Sequence, residues 1–312
     1  MTKMLAQRDY YGKALRELAQ RENVVVLDAD LAGSTKTLEF YKVCPERFIE
    51  VGIAEQNMMG IASGLAAEGK TVFASTFGVF ASGRCWEQTR LGVAYPELDV
   101  KIVATHCGIS VGEDGASHQA LEDISLMRSL PNMVVISPAD AYMTYAATLA
   151  IADYDGPVYM RLGRSPVPVI SEEDAVFEIG KAKVLRDGSD VTLLGTGQLT
   201  HGCLEAAEEL EKEGISAEVV DVSTIKPLDA ETILKSVSKT GCAVTAEEHS
   251  IIGGLGSAVA ELLSEELPSP LQRVGTKDLF GESGKPDELF VKYGLTPADI
   301  VKAARGSISK KR

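Results

Sequence analysis

The sequence has little cysteine and no order in it. Cys44, Cys85, Cys107, Cys203 and Cys242 are scattered, odd in number, and form no C-x-x-C pair. That spacing excludes a disulfide framework or a paired-cysteine zinc site and predicts free thiols in a reducing cytoplasm. No apolar run approaches the roughly 20 residues of a membrane span, and the polar residues after Met4-Leu5 predict no secretory leader. Positive charge is also short, with 31 Lys plus Arg against 45 Asp plus Glu, a net charge of −14. This argues against nucleic acid or an anionic membrane as the main partner, while a local arginine cluster could still take a phosphorylated ligand. There is no Walker-type loop, no internal repeat and no low-complexity segment. Gly195-Thr196-Gly197 and Gly253-Gly254-Leu255-Gly256 are only partial dinucleotide fingerprints without an acidic ribose partner, and are read as turns.

What is present is an ordinary soluble composition, 45 % hydrophobic and 24 % charged, in 312 residues, enough for two domains. Apolar strands alternate with helices from the start. A helix over 8–20 precedes the strand Val24-Val25-Val26-Leu27. Strands near 71–74, 100–104, 133–136 and 157–162 follow, with helices near 80–93, 121–128 and 141–152 between them. Near-continuous apolar strands separated by helices predict a mostly parallel sheet covered on both faces. Pro166, Pro168 and the charged Ser171-Glu172-Glu173-Asp174 then mark a linker. A second α/β unit has strands near 191–194, 217–222, 243–246 and 271–274, and Asp229 should cap one of its helices. The expected fold is thus α/β with two domains, 1–165 and 190–312, joined by a linker over 166–189.

Two stretches carry candidate chemistry. In Ile49-Glu50-Val51-Gly52-Ile53-Ala54-Glu55-Gln56-Asn57-Met58-Met59, alternating apolar residues suggest a buried extended lead-in, followed by helical spacing through Met58, Ile61, Ala62 and Leu65. Glu55 then opens a helix in apolar surroundings, and such surroundings suit a carboxyl group that must hold and release a proton near neutrality. The same position also fits a glutamate that merely complements the helix dipole. The second stretch is Cys107-Gly108-Ile109-Ser110-Val111-Gly112-Glu113-Asp114-Gly115-Ala116-Ser117-His118-Gln119, which follows a strand, where open α/β sheets place their sites. Its glycines free the backbone for close approach around an acid, a hydroxyl and an imidazole.

Gly52-Ile53-Ala54-Glu55-Gln56-Asn57-Met58 resembles the segment that carries the essential glutamate in the pyrimidine-binding domain of transketolases and 1-deoxyxylulose-phosphate synthases. Gly112-Glu113-Asp114-Gly115-Ala116-Ser117-His118-Gln119 resembles the transketolase loop that reads the donor sugar, Glu113 leaning toward transketolase over the synthases. The beta subunits of 2-oxo-acid dehydrogenases share the architecture but not this loop. The resemblance implies thiamine diphosphate as cofactor, with Glu55 bonded to N1′ of its aminopyrimidine and Phe77 and Phe80 stacking on that ring. It implies that Asp30 lies near the thiazolium, Asp114 and His118 meet donor hydroxyls, and Ser34, Arg164 and Arg8 bind the sugar phosphate. One departure stands out: three residues after Phe80, transketolases usually have a tyrosine in the pyrimidine pocket, and here the residue is Gly83.

The resemblance covers the second half of a full-length transketolase. The Gly-Asp-Gly…Asn segment that holds magnesium on the diphosphate in the first half has no counterpart in this sequence, and no metal ligands are expected here. The expectation is a split enzyme: this chain, as a homodimer within a heterotetramer, with an N-terminal transketolase subunit supplying the diphosphate and magnesium site. It would transfer a two-carbon ketol unit between sugar phosphates, and the alternatives are a subunit of another thiamine-diphosphate enzyme or a non-catalytic scaffold of the same fold.

Overall fold

A computed structural model describes residues 3–311. In chain order the first elements are β1 (Met4–Ala6), α1 (Gln7–Leu18), β2 (Val24–Asp28), α2 (Ala32–Thr35), α3 (Leu38–Tyr41), β3 (Phe48–Glu50), α4 (Glu55–Ala67), β4 (Thr71–Phe77), α5 (Trp86–Gln88) and β5 (Val100–Thr105). Then come α6 (Asp123–Arg128), β6 (Val134–Ile136), α7 (Ala141–Ala152), β7 (Val158–Arg161), β8 (Pro166–Pro168), β9 (Lys183–Arg186) and β10 (Val191–Gly195). The chain ends with α8 (Leu199–Lys212), β11 (Ala217–Asp221), β12 (Thr224–Lys226), α9 (Ala230–Thr240), β13 (Ala243–Ser250), α10 (Leu255–Glu266), β14 (Leu271–Thr276), α11 (Pro286–Tyr293) and α12 (Pro297–Ile308).

The strands form two main sheets, ordered β12-β6-β7-β5-β4-β2-β3 and β14-β13-β10-β11-β9. All neighbours run parallel except β12 on β6 and β9 on β11. The two-domain α/β architecture with mostly parallel sheets is therefore as the sequence implies. Strand alternation explains the double cover. Val25 and Leu27 of β2 face a core with Met58, Met59, Ala62 and Ile102, while Val24 and Val26 face Tyr11, Leu15, Phe73 and Met160. Asp229 caps α9, its carboxylate accepting from the Thr232 N–H at 3.1 Å.

Several local expectations differ. The helix predicted over 80–93 is irregular, with wide π-type turns at Phe80–Arg84 and Thr89–Ala94 around the short α5. The extra residue per turn swings Arg84 out of line with an ordinary helix, and such bulges are frequent at functional sites. Ile53 is not part of a buried lead-in; it is 77 % exposed, because β3 ends at Glu50 and the chain turns at Gly52 (φ 72°). A short strand forms over Pro166–Pro168 and pairs antiparallel with β1, continued by the Val169 N–H donating to the Lys3 carbonyl at 2.9 Å. β12, from the second half of the sequence, completes the first sheet beside β6, so the two halves share an edge.

Candidate active site

Strands β2, β4, β5 and β7 are close together in the first sheet and bring polar residues to one rim at their carboxyl ends. After β2 the chain turns through Asp30, at φ 63°. Buried Asp28 fixes this turn, accepting from the Leu31 N–H and the Thr35 hydroxyl at 2.6 Å each and from Thr37 at 2.8 Å. Burial pushes the Asp28 carboxyl up to about 6. The turn presents Ser34, whose carbonyl accepts from Arg8 Nη1 at 3.0 Å. Asp30 is exposed and its N–H donates to Glu50 Oε1 at 2.6 Å.

Phe77 ends β4 and Phe80 follows in the first wide turn, their ring centroids 6.0 Å apart. His106, just after β5, stacks on Phe77 at 3.8 Å, while His118 meets Phe80 edge-on at 5.4 Å. His106 is held at φ 57°, a strained value for a non-glycine residue. Burial, reinforced by the charges of Arg8 and Arg164, pushes its imidazole down to about 3. It is therefore neutral at physiological pH, a flat partner in an aromatic wall. Sequence reasoning passed over His106, although its place directly ahead of the glycine loop at a strand end was the available signal. Next to Phe77 along β4, the buried Thr76 hydroxyl has no partner.

Glu55 is the first residue of α4 and is 3 % exposed. The surroundings are not purely apolar as expected: Arg84 Nη1 donates to Glu55 Oε1 at 2.7 Å. The Arg84 side chain is 46 % exposed, and its guanidinium carbon sits 4.3 Å from the Phe80 ring centroid. Gly83 is exposed, and a Cβ built there would meet nothing within 4 Å. Arg84 thus covers the aromatic face beside that gap.

The loop from Gly108 is a pair of tight 3₁₀ turns broken at Gly112 (φ 83°). Arg164, beyond β7, donates to the Val111 carbonyl at 2.6 Å and lies 3.5 Å from Glu113 and 3.9 Å from Asp114. Gln7 brings α1 to this corner, donating to the Pro138 carbonyl at 2.6 Å and accepting from the Gly163 N–H at 2.8 Å. Arg8 follows it, with a buried Nε–H that has no partner. Burial pushes the Arg8 guanidinium down, and the nearby charge of Arg164 adds to the effect. Two arginines that raise each other's cost, with an unspent N–H, form a corner ready for an anion.

The structure thus gathers Glu55, Phe77, Phe80 and His118 in one group and Arg8, Ser34, Asp114 and Arg164 in a second, with His106 between them. Asp30 touches neither group directly. A cavity of about 660 Å³ between α7 and residues 173–179 is lined by none of these residues. They stand on an open rim.

Two family models match in succession: transketolase, pyrimidine binding domain, over residues 3–169, and transketolase, C-terminal domain, over residues 180–300. With the same two-domain fold and the glutamate-aromatic rim, this places the chain in the transketolase family. Within the family it comprises the pyrimidine-binding and C-terminal domains. It is 55 % identical over 307 residues to a putative transketolase C-terminal section of Methanocaldococcus jannaschii, covering 97 % of this chain and 96 % of that one. It is 48 % identical over 305 residues to a 6-deoxy-6-sulfo-D-fructose transketolase subunit of a Clostridium species, covering 97 % and 95 %. A solved split-gene transketolase, described as an inactive beta4 tetramer, superposes with a TM-score of 0.93 at 55 % identity, over 99 % of this chain and 100 % of that one.

Proposed function

We propose that this chain is the pyrimidine-binding subunit of a heteromeric transketolase that moves a two-carbon ketol unit from a ketose phosphate to an aldose phosphate. Thiamine diphosphate, when bound, supplies the nucleophilic carbon that carries that unit. The observation behind this reading is Glu55: a carboxylate buried at a helix start beside the half-buried Phe80, with one partner, Arg84, that is itself partly in solvent. The rim suits the cofactor's pyrimidine end, since it offers aromatic faces, an unpartnered Thr76 hydroxyl and an acid able to share a proton with a ring nitrogen. Phe77 and Phe80 would flank the pyrimidine and exclude water, Glu55 would hold the proton at N1′, and Asp30 would face the thiazolium end of a bound cofactor. Asp114 and His118 take donor hydroxyls, and Arg8, Ser34 and Arg164 take the sugar's anionic end. That corner suits a sulfonate as well as a phosphate, and a relative named for a sulfo-sugar makes the sulfonated donor the second reading.

The diphosphate and magnesium belong, in this reading, to an N-terminal partner subunit that closes over the open rim. Two copies of this chain with two of the partner give a heterotetramer of two-fold symmetry in the cytoplasm. The test is reconstitution. The chain alone should show no ketol transfer from xylulose 5-phosphate to ribose 5-phosphate, and the partner with magnesium should restore it. In that assembly Glu55→Gln should slow hydrogen–deuterium exchange at the thiazolium C2 by orders of magnitude while the fold persists. Unchanged exchange would refute the role of Glu55.

A further inference from the structure

Adjacent acids on β13 serve different domains. Glu247 stays within its own domain, accepting from the Leu255 and Gly256 N–H groups at 2.7 and 2.8 Å at the start of α10. Glu248 crosses to the other. Its Oε1 accepts from the Ser110 backbone N–H at 2.6 Å, and its Oε2 accepts from the Gln198 side chain, which also donates to Ser110 Oγ at 3.1 Å. Its carbonyl accepts from Arg161 Nη2 at 2.7 Å. Gly108 presses on it so closely that a Cβ there would lie 2.3 Å from the Glu248 carboxyl carbon. The register of β13 on β14 shifts between Ala246 and Ser250, which frees this stretch to leave the sheet and reach the loop.

Burying a carboxylate is costly unless hydrogen bonds satisfy it, and bonds to a charged acceptor are the strong ones. Of the two bonds to the Glu248 carboxylate, one comes from Ser110 of the other domain and one from Gln198 of its own, and Gln198 in turn holds Ser110. Ser110 lies four residues before Asp114 and adjoins Val111, whose carbonyl is bonded by Arg164. A shift at Ser110 would therefore move Asp114 and loosen Arg164 together. We propose that Glu248 is a positioning residue through which the C-terminal domain sets the geometry of the donor-sugar end of the site. The proposal rests on the reading of Asp114 and Arg164 as donor contacts. It assigns the second domain a role separate from cofactor activation by Glu55.

The test uses Glu248→Gln, which keeps the shape and one acceptor oxygen. In the isolated chain, amide exchange at residues 108–114 should accelerate on the order of 10-fold as the Ser110 bond weakens. In the reconstituted enzyme, kcat/KM for the ketose donor should fall on the order of 10-fold, since small displacements of substrate-positioning groups are costly. Thiamine diphosphate affinity, titrated calorimetrically with magnesium, should stay within about two-fold. Combining Glu248→Gln with Gln198→Glu exchanges acid and amide across the contact and should recover most of the loss. If Glu248→Gln does not fold, Gln198→Ala removes the amide's bonds to Glu248 and Ser110 while leaving the Ser110 N–H bond to Glu248 in place, and should give a smaller version of the same pattern. Unchanged loop exchange, or a fall in cofactor affinity matching the fall in kcat/KM, would overturn the proposal. Faster loop exchange with unaltered donor kinetics would leave the contact standing and instead overturn the reading of the loop as the donor site.

Discussion

Glu55 and Glu248 are equally buried, each 3 % exposed, yet they sit in opposite kinds of region. Glu248 lies at the domain junction, its oxygens taken by Ser110 and Gln198, with the buried Arg161–Asp123 pair alongside. Glu55 lies on the rim, bonded to one arginine that is itself nearly half in solvent. Burial alone does not separate a structural acid from a ligand-facing one; the number and permanence of the partners does. The junction spends most of its polar groups on itself, with Asp123 Oδ1 and Gln119 Oε1 left without partners. The rim leaves Thr76 Oγ1 and Arg8 Nε unspent.

The largest loss of stability is expected at the junction. Asp123 is fully buried and accepts from Arg161 Nε and the Tyr159 hydroxyl at 2.8 Å each. Asp123→Ala should cost about 3–5 kcal/mol in urea unfolding of the isolated chain, because it leaves the Arg161 charge buried without its acid. A cost near that of an exposed pair would show that the junction is wetter than its geometry implies.

His106 belongs to the rim, stacked on Phe77, and its titration tests how dry that part of the rim is. Its folded imidazole titrates at about 3, below the ordinary 6.5, because burial and the nearby arginines oppose protonation. The unfolded chain therefore binds the proton first. Stability attributable to this residue is full above 6.5 and is lost as pH falls toward 3, by about 1.4 kcal/mol per pH unit at most. Asp28, raised to about 6, acts with the opposite sign, its ionisation costing stability as pH rises from ordinary carboxylate values. The difference between wild type and His106→Asn isolates the first effect, and asparagine tolerates the left-handed backbone there. Urea midpoints from pH 7 to 4 should fall less steeply in the variant; parallel curves would place a protonated imidazole in the rim.

The parts legible in the sequence were those set by nearest-neighbour patterning. The Val24–Leu27 strand, the start of α4 at Glu55 and the Asp229 cap each follow from residues close in the chain. Features made by distant segments were not. Strand β13 runs on through Glu247, Glu248 and His249, which look like a polar loop because the loop and helix that satisfy them lie elsewhere in sequence. The wide turns at Phe80–Arg84 broke a helix that periodicity alone predicts, and Ile53 gave an apolar signal at an exposed turn. Of the candidate site, the motifs located the glutamate, the aromatic residues and the loop. The Arg84 contact and the His106 stack arise only in three dimensions.

Arg84 gives the smallest expected effect and the finest test of the comparison. Its guanidinium bonds Glu55 at 2.7 Å and covers Phe80, beside the open space at Gly83, where transketolases usually have a tyrosine. Since one partner is well hydrated, Arg84→Ala should cost the isolated chain only about 1 kcal/mol, far less than Asp123→Ala. The loss should largely vanish in a Glu55→Gln background, where no carboxylate remains to be paired, so a double-mutant cycle in urea reads the coupling directly. A small coupling means that Glu55 is held lightly and is available to a ring nitrogen on the rim. A coupling as large as the penalty at Asp123 would mean that Arg84 locks the carboxylate as firmly as the junction locks Glu248. In that case Glu55 would be a structural acid, and the burial that makes it look catalytic would have the same cause as the burial of Glu248.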